Sequence, residues 1–164
     1  MTEANEFVYT RVLDAPRELV FKMWSEVEHL INWWGPVGLD LGIAELDFRP
    51  GGIFHYNMRS PQGDEMWGRF IYREIVEPEK IVFITSFSDE EGNIVRASFS
   101  PEFPLEVLNV VTFTEHEGTT ILTLRGGPIN ATEEERNFYN GMFESMEQGF
   151  GGTFDQLAEY LSKL

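Results

Sequence analysis

The segment from residue 132 to the C-terminus constrains the fold more than any other. Tyr139, Met142, Phe143, Met146, Phe150, Thr153, Phe154, Leu157, Tyr160, Leu161 and Leu164 follow a 3.6-residue period, the mark of a helix with one apolar face. Thr132-x-x-Glu135 forms a capping box at its start, and Glu133 and Glu134 add negative charge where the helix dipole favours it. Unbroken, such a helix runs about 30 residues and about 45 Å. Aromatic side chains along that whole length need a partner surface just as long, and a sheet supplies one.

The preceding sequence reads as that sheet. Glu6 to Asp14 alternates and is rich in β-formers, which predicts a first strand. Pro16 then suits the first turn of a helix from about Arg17 to Trp24, with Leu19, Val20, Met23 and Trp24 on one face. Ser25-x-x-Glu28 predicts a second capping box, opening a short helix that ends on Trp33 and Trp34 before Gly35-Pro36. Strands are expected at Ile43–Phe48, Ile53–Arg59, Glu65–Ile75 and Ile81–Ser88, then an extended segment to about Ser100, then Leu105–Glu115 and Thr119–Leu124. Short turns rich in Gly, Pro and Asp join them, so the sheet is expected to be antiparallel. No repeat or linker divides the chain, and residues 1–164 read as a single domain.

Specific stretches carry a resemblance. Ala15 to Trp24, Glu28-His29-Leu30, Trp33-Trp34-Gly35-Pro36 and Arg49-Pro50-Gly51-Gly52 resemble the AHSA1-like family (activator of Hsp90 ATPase homologue 1-like) of the START/Bet v 1-like SRPBCC superfamily. Tyr72 to Lys80, Ser86 to Gly92, Gly149-Phe150 and Leu157 to Leu161 extend the resemblance to the end of the chain. It implies an α+β helix-grip fold: a curved antiparallel sheet wrapped around a long C-terminal helix, with two short helices after strand 1. It also implies a largely apolar cavity between sheet and helix.

Composition removes whole classes of function. Twelve Lys and Arg against 28 Asp and Glu leave a net charge of −16, which disfavours nucleic acid and anionic membrane surfaces as partners. With no cysteine, thiolate catalysis, zinc–thiolate sites and disulfides are excluded. Met1 to Glu6 lacks a basic leader and no apolar run could span a membrane, so a cytoplasmic protein is expected. Phosphate-loop, nucleophile-elbow and H-E-x-x-H patterns are missing. His29, His55 and His116 are scattered over different elements and read as solvated or structural, so neither a metal site nor a catalytic set is assigned. Glu74 and Glu106 lie in strands, where pairing with Arg69, Arg73 or Arg125 is the plainer role. No cofactor is implied.

What stands out is a set of aromatic and methionine side chains. Phe54, Tyr56 and Met58 share one strand face, Met66, Phe70 and Tyr72 the same face of the next strand, and Met142, Phe143, Met146 and Phe150 one helix face. Such a set is either ordinary core or the lining of an adaptable apolar pocket. Gly141, Gly149, Gly151 and Gly152 are costly inside a helix, and either allow close packing or leave room for a ligand or a bend. The first expectation is a binding protein for a small apolar molecule, with these ten side chains lining its cavity. The alternatives are an enzyme acting on a polyketide-like or aromatic substrate in the same cavity, and a chaperone-interacting domain. The last ranks lowest, because the Hsp90 co-chaperone that names the family needs a separate N-terminal domain, for which this chain has no room. Self-association as a homodimer stays open.

Overall fold

The computed structural model describes residues 6–97 and 100–164. Seven strands form one sheet: β1 (Phe7–Leu13), β2 (Asp40–Leu46), β3 (Ile53–Arg59), β4 (Glu65–Val76), β5 (Lys80–Ser88), β6 (Val107–His116) and β7 (Thr119–Pro128). Their order is β1-β7-β6-β5-β4-β3-β2, antiparallel throughout. Two helices, α1 (Arg17–Ser25) and α2 (Val27–Leu30), follow β1, and two more, α3 (Glu133–Asn140) and α4 (Phe143–Ser162), end the chain. The sheet curls into a half-barrel around α4, with bulges in β2 between Leu41 and Ala44 and in β4 between Tyr72 and Glu74. Bulges add local twist and let a long strand bend. The result is the expected helix-grip layout. Among the described residues, no helix is long and apolar enough to cross a membrane.

The β6–β7 hairpin shows how closely turn chemistry sets register. Glu117 and Gly118 both have positive φ, 52° and 84°, the conformation of a two-residue type I′ turn. His116 therefore pairs with Thr119, and both strands run on to Val107 and Pro128. β7 reaches four residues past its expected end, where Phe7 pairs with Gly126.

The helical segments depart from expectation in three places. Pro16 sits at the cap position, just before the first helical residue. Ser25 does not cap a second helix: it is the last residue of α1, its hydroxyl donates to the Lys22 carbonyl, and the chain leaves the helix at Glu26. α2 is consequently only four residues long, and Trp33 and Trp34 lie beyond it. The long C-terminal helix is broken. Gly141 caps α3, Met142 leaves helical geometry at φ −100° and ψ 3°, and α4 starts afresh at Phe143. The extended segment expected after Asn93 forms only a single bridge, Ser88 to Ile94, and its residues 98–99 fall outside the described part.

Packing centres on aromatic side chains. Phe154 of α4 stacks on Tyr9 of β1 (centroids 5.5 Å), and Phe150 stacks on Phe7 (5.6 Å). Trp24 of α1 meets Trp33 edge-on at 4.9 Å, and the Trp33 indole N–H donates to the Met23 carbonyl. Arg11 and Asp155 add an ion pair between β1 and α4 at 2.6 Å.

Candidate functional site

A cavity of about 340 Å³ lies between the concave face of β3–β6, the loop carrying Trp34, Gly35 and Pro36, and the α3–α4 segment. Its wall is apolar and aromatic for the most part, and among the described residues no charged side chain borders it. That size sits at the small end for small-molecule sites, about 300–1,000 Å³.

Of the ten side chains expected to line it, six border the cavity: Tyr56, Met58, Met66, Met142, Met146 and Phe150. Strand alternation carries the first three, and the Gly141–Met142 break turns Met142 onto the rim. Of the other four, Phe54, Phe70 and Tyr72 are sealed into the core, and Phe143 is partly buried against it. Phe70 stacks on Phe83 at 4.3 Å and is covered edge-on by Trp34 at 5.1 Å. Phe54 packs between Tyr56 and Phe70, Tyr72 lies against Phe48, and Phe143 wedges between Phe7 and Tyr139. These residues do point inward. Trp34 and Phe48, arriving from loops, fill the part of the groove they face.

Sequence reasoning missed Trp34, Phe83 and Val107 on the wall, and above all its polar groups. Asn109 is 5% exposed and breaks the inward apolar alternation Val107, Val111, Phe113. A lone amide in such a row is a legible signal, since a buried polar side chain needs partners. Its amide N–H groups donate to Thr85 Oγ1 (3.0 Å) and to the Val107 carbonyl (3.1 Å). Tyr139 of α3 reaches the same wall, and the Thr153 hydroxyl donates to the Gly35 carbonyl at 3.0 Å. Burial pushes the Tyr56 hydroxyl up to about 12, with a side-chain hydrogen bond to Trp34 acting in the opposite sense. Burial likewise raises Tyr139, and the negative charge of Glu6 raises it further. Both phenols are therefore neutral hydrogen-bonding groups near pH 7 and poor proton abstractors.

Glycines shape the space. A Cβ at Gly149, which borders the cavity, would meet nothing within 4 Å, so this position leaves room. At Gly152 it would lie 2.9 Å from Val37 Cγ2, so that glycine serves close packing.

The remaining candidates lie elsewhere. His29 Nδ1 is 2.7 Å from the Tyr160 hydroxyl, linking α2 to α4. His55 stacks on Trp67 and contacts the Asp89 carbonyl, and His116 is exposed beside Glu117. Glu74 pairs with Lys80 rather than with an arginine, and Glu106 accepts from Asn130. Among the described residues, no group of three His, Asp or Glu side chains could hold a metal ion.

The AHSA1 family model, described as "Activator of Hsp90 ATPase homolog 1-like protein", matches residues 14–162. No curated protein matches the chain. Among solved structures, a protein from Mycobacterium smegmatis is 26% identical with a TM-score of 0.78, covering 96% of this chain and 91% of its own. One from Arthrobacter aurescens is 25% identical with a TM-score of 0.81, covering 98% and 88%. The AHSA1 protein from Silicibacter pomeroyi, at 19% identity and a TM-score of 0.74 over 96% and 97%, shares the fold.

Proposed function

The chain belongs to the activator of Hsp90 ATPase homolog 1-like family, and on that premise we propose that it is a single ligand-binding domain acting in the cytoplasm. It holds one small apolar molecule between the concave sheet and α4. The carrying observation is the cavity itself: about 340 Å³, walled by Trp34, Tyr56, Phe83, Phe150 and four methionines, with no charged side chain on it among the described residues. Methionines suit such a wall because the unbranched thioether adapts to ligands of different outline. Catalysis has less support, because the tyrosines on the wall are held neutral and, among the described residues, no acid or histidine borders the space.

Met146 on α4 gives the test, since it borders the cavity. Met146→Trp is expected to fill the space and weaken binding of the neutral dye N-phenyl-1-naphthylamine at least tenfold, with the melting temperature unchanged or higher. Overpacking a close-packed core would instead cost about 1–3 kcal/mol. Unchanged dye binding together with a melting temperature lowered by several degrees would defeat the reading. Native mass spectrometry of the purified protein would identify a retained compound.

A further inference from the structure

We propose that the cavity selects uncharged molecules carrying one hydroxyl or carbonyl group, seated on the Asn109–Tyr139 wall with the apolar body toward Met142 and Met146. This deepens the binding reading and rests on it.

The geometry starts from Gly126 of β7. A Cβ there would lie 2.9 Å from Asn109 Oδ1 and 3.0 Å from the Tyr139 hydroxyl oxygen, so both oxygens converge on this glycine and a larger residue would crowd them. Asn109 commits both amide hydrogens, to Thr85 Oγ1 and to the Val107 carbonyl. That fixes the amide and leaves Oδ1 as an acceptor. The Tyr139 side chain is 1% exposed, and no hydrogen bond to its hydroxyl is found among the described residues. Its hydrogen is therefore open to a partner in the cavity. Both side chains border the cavity. An acceptor and a donor side by side match a hydroxyl, which can serve both, or a carbonyl, which takes the tyrosine's hydrogen.

Charge is excluded on separate grounds. Among the described residues no cation lines the cavity, so a carboxylate entering it would exchange its hydration for a single neutral donor, the Tyr139 hydroxyl. Glu6, close enough to Tyr139 to push its hydroxyl up, adds a field of the wrong sign for an anion. A cation would find no carboxylate on the wall among the described residues either.

Three probes of one outline test this, each displacing N-phenyl-1-naphthylamine from the full chain at pH 7. They are 2-naphthol, 2-methylnaphthalene and 2-naphthoate. Wild type is expected to bind 2-naphthol at least tenfold more tightly than 2-naphthoate. Tyr139→Phe removes only the unbonded hydroxyl and is expected to shift the naphthol-to-methylnaphthalene preference toward the methyl compound about fivefold. Asn109→Leu is expected to shift it in the same direction. If the dye binds but the preference stays the same in Tyr139→Phe, or naphthoate competes as well as naphthol, the selectivity is overturned and the binding reading survives. If the dye does not bind wild type at all, the binding reading fails with it. Should Asn109→Leu not fold, Tyr139→Phe and the naphthoate comparison still decide.

Discussion

Single residues decide how much of the grip is open. Gly149 borders the cavity and Gly126 lies against two of its lining side chains, Asn109 and Tyr139, yet their surroundings differ in kind. Gly149 is helical and a Cβ there meets nothing, so Gly149→Ala removes only the entropic cost of glycine in a helix. The variant is expected to gain about 1 kcal/mol in urea unfolding. Gly126→Ala would push a methyl group against two buried oxygens and is expected to lose about 1–3 kcal/mol. Equal effects from the two substitutions would show that the cavity wall relaxes freely around both sites. From sequence alone both glycines look alike, because the pattern says where a glycine falls and not what faces it. Asn109 is more legible, as the one amide in an inward apolar row, but its partner Thr85 and its neighbour Tyr139 come from β5 and α3 and no local pattern joins them.

At the scale of elements, caps were legible where the side chain has no competing partner. Thr132 accepts from the Glu135 N–H at 3.1 Å, and Glu135 accepts from the Thr132 N–H at 2.9 Å, completing the box that starts α3. Ser25 carries the same motif, but its hydroxyl is taken by the Lys22 carbonyl of its own helix. The break between α3 and α4 was less visible, because the apolar period carries on across Gly141 and Met142 while the backbone does not. Thr132→Ala is expected to cost about 1 kcal/mol by chemical denaturation. Glu135 also pairs with Arg96, and that contact, followed by the Thr132 N–H, holds its carboxyl below the ordinary 4.5. A lowered folded-state value means that the contribution is complete above 4.5 and fades as the pH falls below it. Glu135→Gln is therefore expected to be less stable than wild type at pH 7, with the gap closing on acidification below pH 4.5. A gap that stays constant from pH 7 to 3 would mean that the carboxylate's charge contributes nothing.

For the molecule as a whole, strand alternation and turn spacing made the sheet, its antiparallel order and its inward face legible. What they could not show is which inward side chains are sealed, because Trp34 and Phe48 reach Phe70 and Tyr72 from loops distant in sequence. Net charge is the other property that belongs to the whole chain, and it bears on partners. Arg11, Arg49, Arg59, Lys80, Arg96, Arg125 and Lys163 are each within ion-pair distance of a carboxylate. These are seven of the twelve Lys and Arg. The other five, Arg17, Lys22, Arg69, Arg73 and Arg136, are divided among α1, β4 and α3 and make no basic run. Phosphate neutralisation needs several free cations on one face, and here a net charge of −16 opposes approach. The chain is therefore expected to leave duplex DNA unshifted in a gel assay in about 0.15 M salt, where screening acts beyond about 8 Å. Protein at about 100 µM is enough, since ordinary non-specific binders respond at about 1–100 µM. A shift that disappears as salt is raised would reveal that the five remaining cations cooperate across elements, and would return nucleic acid to the set of partners.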